Sequence, residues 1–317
     1  MPVEINSSTP SNAQSFSPNG DRLENGQGIS ATGGVDNLAP STSTHSPMEN
    51  TSSSSSNSST DPNAITVTIA DHDTPIVILY GPPVCGKTMT LVRLARYLKD
   101  KGYQIVPDKS FRDSQDGGYK NLCDGFDYII SSNDAAKSTS IISFMLVKVL
   151  TANGHPLCQI LEAPGEHYFN PDNIGATYPP YVQRIMRSNN RKVWAVMLEP
   201  NWKNDEIRRN YVDNIKKLSK NLGSKGKVLF VYNKVDLANA ETISDTIKEV
   251  ADFFPGIFEP FKNQNPITRF WKVYNCDLVR FSTGGYSEKI AGGTTYTPSD
   301  DAYPEALWKK LMKMIRG

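Results

Sequence analysis

The sequence predicts an α/β domain: a mostly parallel sheet with one antiparallel hairpin and helices on both faces. Three observations predict it. Short continuous apolar runs, as expected of strands buried on both sides, alternate with segments whose apolar residues recur at helical spacing. A Gly/Pro-rich turn joins the first such run to the first helical segment. Two β-prone runs are separated by Ala152-Asn153-Gly154, and an Asn-Gly pair between such runs is the strongest short-range hairpin signal.

The elements follow in order. Pro75 to Tyr80 reads as a buried strand, and Thr88 to Lys99 as a helix with Leu91, Leu94 and Leu98 on one face. Asp100 to about Ser138 is polar and rich in Gly and Asp, and its pattern assigns no element. Ile141 to Thr151 and His155 to Glu162 form the hairpin, read as two antiparallel strands spliced into a parallel pattern. A helix is expected around Tyr178 to Ser188 and a strand at Lys192 to Leu198. Asp205 to Leu222 reads as a helix with Ile207, Tyr211, Ile215 and Leu218 aligned. Val228 to Tyr232 is a further buried strand and Glu241 to Phe254 a helix. A last strand falls within Phe270 to Phe281, and an amphipathic helix closes the chain at Glu305 to Ile315. Strands alternating with helices in this way imply a doubly wound sheet.

Residues 1–63 stand apart. Ser, Thr, Asn, Gly and Pro dominate them, Phe16 is their one aromatic residue, and Thr51 to Thr60 is almost pure Ser. Such a stretch buries too little apolar surface to offset the backbone entropy of folding, so a disordered tail is expected, with residues 64–317 as the folded domain. A net charge of +1 gives no global attraction to nucleic acid or anionic membrane. Basic clusters such as Arg184, Arg187, Arg191 and Lys192 read as solvated helix faces and ends, with a partner surface as the alternative. Cys85, Cys123, Cys158 and Cys276 lack paired spacing, which points away from a zinc site or a disulfide framework and toward a reducing, cytoplasmic compartment. The opening residues carry no apolar signal segment, and the most apolar run, Ile141 to Leu150, is too short to span a bilayer.

Three motifs carry chemistry. Gly81-Pro-Pro-Val84-Cys85-Gly86-Lys87-Thr88 satisfies G-x-x-x-x-G-K-[ST] between a predicted strand and helix. Glycines let such a loop curl so that successive N–H groups, here through Met89, point at phosphate, and the helix presents its positive end to the same anion. Lys87 would reach the β- and γ-phosphates, and the Thr88 hydroxyl would ligate Mg²⁺. Asn233-Lys234-Val235-Asp236 follows a predicted strand. A carboxylate at Asp236 can accept from guanine N1–H and the exocyclic amine, a donor pair that adenine lacks. At about 1.5–3 kcal/mol for each bond to a charged partner, that separates the two bases by about a hundredfold or more. Asn233 would bracket the base, and the Lys234 stem would lie across its face. Glu162-Ala-Pro-Gly165-Glu166-His167 ends the hairpin's second strand.

Phosphate loop, hairpin, acidic-x-x-Gly and N-K-x-D, in that order, resemble the P-loop NTPase G domain of the Ras-like and translation-factor GTPases, over about Pro75 to Gly317. Compact G domains of uncharacterised bacterial GTPases are similar. The resemblance implies a GTP/GDP-binding switch with Mg²⁺ that hydrolyses GTP slowly, partnered by an effector or regulator; from the net charge, no nucleic-acid partner is expected. Glu162 would hold Mg²⁺ through water, the Gly165 N–H would contact the γ-phosphate, and Thr139, beside Ser138 and Ser140, would be the switch hydroxyl on the metal. The loop reading guanine O6 has two placements, Ser282-Thr283-Gly284 or Asn275-Cys276-Asp277.

Three positions depart from the family. Glu162 stands where Asp is usual, one methylene further out, so the metal site is expected to be displaced or weaker. Glu166 stands where Gln or His commonly orients the attacking water, with His167 as a neighbouring substitute. Pro83 removes an N–H donor and crowds an incoming arginine finger. These departures favour a nucleotide-locked scaffold as one alternative to hydrolysis; a P-loop ATPase is another. The long segments from Asp100 to Ser138 and Gly284 to Tyr303 exceed a minimal G domain and are expected partner surfaces.

Overall fold

Seven strands form one sheet in the order β2-β3-β4-β1-β5-β6-β7. They are β1 Ile76–Tyr80, β2 Gln104–Pro107, β3 Met145–Leu150, β4 Pro156–Glu162, β5 Lys192–Leu198, β6 Lys227–Tyr232 and β7 Cys276–Arg280. The helices are α1 Lys87–Asp100, α2 Gly117–Ser131, α3 Gly165–Tyr168, α4 Pro180–Arg187, α5 Asp205–Asn221, α6 Ile243–Phe253 and α7 Ala302–Arg316. The computed structural model describes residues 63–131, 144–168, 177–200, 202, 204–222, 226–265, 269, 273–288 and 294–317, all within the unit Ser54–Gly317. The expected tail lies outside the described residues except for Asn63, and Thr139 lies outside them as well.

β1 is central because it is buried at every position and pairs in parallel with β4 on one side and β5 on the other. β6 and β7 continue the parallel set outward. The chain passes from β1 through α1 to one half of the sheet, then winds outward through β5, β6 and β7 in the other. Right-handed connections therefore put α1 and the helices α4 to α6 on opposite faces. α7 packs on α1 and across β5, β6 and β7, which completes the α1 face. On the opposite face, Tyr211 of α5 meets Tyr80 and donates to the Met197 carbonyl at 2.9 Å. Trp194 and Tyr168 close the same aromatic cluster.

The hairpin between β3 and β4 forms as expected, with Gly154 at φ +80° in its turn. One reading needs correction. Only β3 runs against the rest of the sheet, because β4 pairs in parallel with β1. The polar stretch after α1 also contains an edge strand and a helix. β2 pairs antiparallel with β3 and buries only alternate residues. α2 buries Tyr119, Leu122, Cys123, Phe126 and Ile130. Between β7 and α7 the chain forms a second, separate antiparallel hairpin, β8 Gly284–Glu288 with β9 Thr294–Pro298. Among the described residues no helix is long and apolar enough to cross a membrane.

Candidate functional site at the strand ends

The site lies where β1, β4, β5, β6 and β7 release their C-terminal ends, the expected place for a ligand on a parallel sheet. Six residues link β1 to α1. Two of them turn the backbone to positive φ: Val84 at +65° and Gly86 at +89°. A left-handed valine is strained by about 1–3 kcal/mol, and its side chain is 88% exposed, so packing of that side chain does not offset the strain. Such reversals curl a loop into a concave set of N–H groups suited to an anion. Gly86 is required twice, since a Cβ there would also stand 2.3 Å from Asn233 Nδ2.

Lys87 is buried, and its ammonium donates to the carbonyls of Gly81 at 3.0 Å and Pro82 at 2.8 Å. The lysine thus spans the loop it follows and holds its charge at the loop's mouth. Cys85 is fully buried, and burial above all pushes its thiol up to about 11, so near neutral pH it adds no anion beside the N–H groups of the loop. Thr88 and Met89 are buried in the first turn of α1. Thr88 Oγ1 donates to Glu162 Oε1 at 2.9 Å, joining the start of α1 to the end of β4. The extra methylene of Glu162, expected to shift a metal site, carries its carboxylate to that hydroxyl.

Gly165 opens α3 against the phosphate loop. A Cβ on Gly165 would stand 2.3 Å from Pro82 C and from Pro83 N, so the two backbones touch and only glycine fits. His167 is half-buried, and its Nδ1 hydrogen-bonds with the Tyr181 hydroxyl of α4 at 2.6 Å. Glu166 contributes backbone to α3, while its side chain lies outside the described part.

The second motif follows β6. Asn233 is buried and donates from Nδ2 to the Cys85 carbonyl at 3.1 Å, which ties the Asn-Lys-Val-Asp turn directly to the phosphate loop across 148 residues. Its Oδ1 is buried without a hydrogen-bond partner. Lys234 adopts a left-handed conformation, φ +55° and ψ +40°. Among the described residues Val84 and Lys234 are the only non-glycine residues with positive φ, so backbone strain is concentrated in these two motifs. Lys234 forms an ion pair with Glu199, a buried carboxylate just beyond β5. The sequence reading missed Glu199, and the signal was its place at a strand end beside the site.

Asp236 accepts from Ser282 Oγ at 2.7 Å. That bond brings Ser282-Thr283 to the Asn-Lys-Val-Asp turn. Asn275-Cys276-Asp277 instead begins β7 at the opposite edge of the sheet, where Asp277 pairs with Lys310 of α7. Arg280 adds a staple, donating from Nη2 to the Ala240 carbonyl at 2.8 Å just past the turn. Among the described residues no group of three or more His, Cys, Asp or Glu side chains is gathered for a metal ion.

The strand order, with one antiparallel strand in an otherwise parallel sheet and helices on both faces, is that of a G-domain-like α/β fold. No protein-family model matches the chain, and no curated protein matches its sequence. Solved structures do resemble it. A nucleolar GTP-binding protein 1 from Plasmodium falciparum is 12% identical with TM-score 0.40, over 79% of this chain and 90% of its own. A structure from work on the GTPase activity of the chloroplast translocon components atToc33 and psToc159 is 12% identical with TM-score 0.41, over 77% and 84%. The signal recognition particle receptor SRb-GTP/SRX complex from Chaetomium thermophilum gives 14% and 0.39, over 76% and 98%. Likenesses this distant carry no function across to this chain.

Proposed function

We propose that the domain binds GTP and GDP with Mg²⁺, and that it hydrolyses GTP slowly as a molecular switch. The observation that carries this reading is the bond from Asn233 Nδ2 to the Cys85 carbonyl, which makes the phosphate loop and the base-reading turn one site. In this reading the loop N–H groups from Val84 to Met89 and the Lys87 ammonium hold the phosphates. Asp236, oriented by Ser282, accepts from the guanine N1–H and amine. Lys234, steered by Glu199, covers the ring.

The residues present fit Mg²⁺. The Thr88 hydroxyl and the Glu162 carboxylate are hard oxygen donors 2.9 Å apart. The Thr88 hydroxyl would hold Mg²⁺ directly and the Glu162 carboxylate would hold it through water. Bound there, Mg²⁺ would neutralise charge developing on the phosphate oxygens. Water attacks the γ-phosphorus in line, the bond to the β,γ-bridging oxygen breaks, and GDP and phosphate leave. Lys87 and the loop N–H groups stabilise the leaving charge, and Glu166 or His167 positions the water.

A second reading, a nucleotide-binding scaffold that does not hydrolyse unaided, is favoured by the hydrogen bond that ties His167 to Tyr181. The segment around α2 and the β8–β9 hairpin are the surfaces proposed for an effector or regulator. Calorimetry on the full chain with GDP and with non-hydrolysable GTP and ATP analogues, in Mg²⁺, tests the central claim. Tight guanine binding without an ATP signal supports it. Equal ATP binding would reduce Asn233 to Asp236 to a structural turn and put an ATPase first.

A further inference from the structure

We propose that Arg93 of α1 and Ser299, just past the β8–β9 hairpin, are positioning residues for base recognition. In this proposal they fix the Ser282-Thr283 loop in the register that reads guanine, and so set how long a guanine nucleotide stays bound. The proposal rests on the guanine reading above and names residues outside the phosphate-loop, acidic-turn and N-K-x-D motifs.

A continuous hydrogen-bonded chain supports it. Arg93 sits on the helix that follows the phosphate loop and is only 4% exposed. Its Nη2 donates to the Ser299 carbonyl at 2.7 Å and to Asp301 Oδ1 at 2.7 Å, and its Nε reaches Ser299 Oγ at 3.4 Å. Ser299 Oγ in turn donates to the Ser282 carbonyl at 2.6 Å, and Ser299 N–H to the Thr283 carbonyl at 3.3 Å. The Tyr296 hydroxyl donates to the same Thr283 carbonyl, and the Arg96 guanidinium lies 5.5 Å from the Tyr296 ring centre. From the other end of the chain, Ser282 Oγ holds Asp236 at 2.7 Å. One buried arginine on the phosphate-loop helix is thereby connected, through Ser299 and Ser282, to the carboxylate proposed to read the base.

The peptide geometry gives this chain a direction. A trans peptide points its N–H opposite to its carbonyl. With the Ser282 carbonyl fixed against Ser299, the Thr283 N–H turns away from the hairpin. That N–H is then a donor for guanine O6, and its aim depends on Ser299. The junction is also too tight to adjust freely: Gly284 has φ +120°, and a Cβ there would stand 2.1 Å from the Thr297 carbonyl. Burying a guanidinium against an aspartate that is itself largely exposed is a poor way to gain stability, because the desolvation of the arginine offsets the attraction. Its donors go to the strap that carries the base loop.

The test uses the full chain and Ser299→Ala, which removes one hydroxyl at a partly exposed position, with Arg93→Lys and Arg93→Gln beside it. GDP dissociation is followed by displacement of a fluorescent GDP, and GDP and ADP affinities by competition. Ser299→Ala is expected to speed GDP release several-fold to about tenfold with ADP affinity unchanged, so guanine selectivity falls by the same factor. Arg93→Gln should have the larger effect and Arg93→Lys an intermediate one. Unchanged GDP release in Ser299→Ala, or equal losses for GDP and ADP, would overturn the positioning role. A parent chain that binds no guanine nucleotide overturns the base reading itself, and that result needs no variant to recognise.

Discussion

The two ends of the site are built differently. The proposed phosphate end is contiguous chain: eight consecutive residues, Gly81 to Thr88, supply loop, lysine and hydroxyl. The proposed base end is assembled from segments far apart in sequence. Asn233 to Asp236, Glu199 and Ser282 meet through side-chain bonds, and Arg93 and Ser299 brace them from outside. A contiguous loop whose backbone binds should treat all nucleotides alike. A mosaic of side chains should discriminate among bases and should be more easily loosened.

That contrast can be broken at several points, in falling order of effect. Lys87→Ala removes a buried ammonium at the loop mouth, and affinity for GDP and for any triphosphate should fall by roughly a hundredfold or more; loss for one base alone in calorimetry would contradict a shared phosphate end. Asp236→Asn should cost guanine nucleotides about a hundredfold while favouring xanthosine diphosphate, whose C2 carbonyl accepts from the new amide. Unchanged GDP affinity there would remove Asp236 from the base site. Gly86→Ala places a methyl against Asn233 and strains a left-handed position, so thermal melting should show a loss of about 1–2 kcal/mol or more. Glu162→Asp withdraws the carboxylate from Thr88. The Mg²⁺ concentration needed for half-maximal GDP affinity should shift by several-fold, and an unchanged requirement would place the metal elsewhere. Smallest is Tyr181→Phe, which removes the hydroxyl bonded to His167 Nδ1. Single-turnover GTP hydrolysis should change by a few-fold if His167 places the water, and stay at the parent rate if it does not.

The same contrast explains what the sequence could tell. Contiguous features were legible: the strand, turn and helix around Gly81 to Thr88, the Asn-Gly hairpin, and β5, whose bounds Lys192–Leu198 match the apolar run. β2 was not, because an edge strand of four residues, half of them exposed, leaves little pattern. α2 was missed although Tyr119, Leu122, Cys123, Phe126 and Ile130 keep helical spacing; the glycines and aspartates around them hid it. The β8–β9 hairpin read as a long loop because its strands are short and glycine- and threonine-rich. Ser282 and Asn275 had equal claims in the sequence; they lie beyond opposite ends of β7, and Ser282 is the one bonded to Asp236. The Lys234–Glu199 and Arg93–Asp301 pairs join residues 35 and 208 positions apart, and no local pattern marks such partners.

The contact of Gly165 with Pro82 and Pro83 has a mechanical side. Two backbones pressed together with no side chain between them leave no slack, so the gap answers to the smallest insertion. Under the proposed function, a group entering there would press on α3. Tyr168, seated on Tyr80 and Trp194, and His167, linked to Tyr181 on α4, would move with it. Under the proposed switch function, a change at the loop would pass through these contacts to α3 and α4.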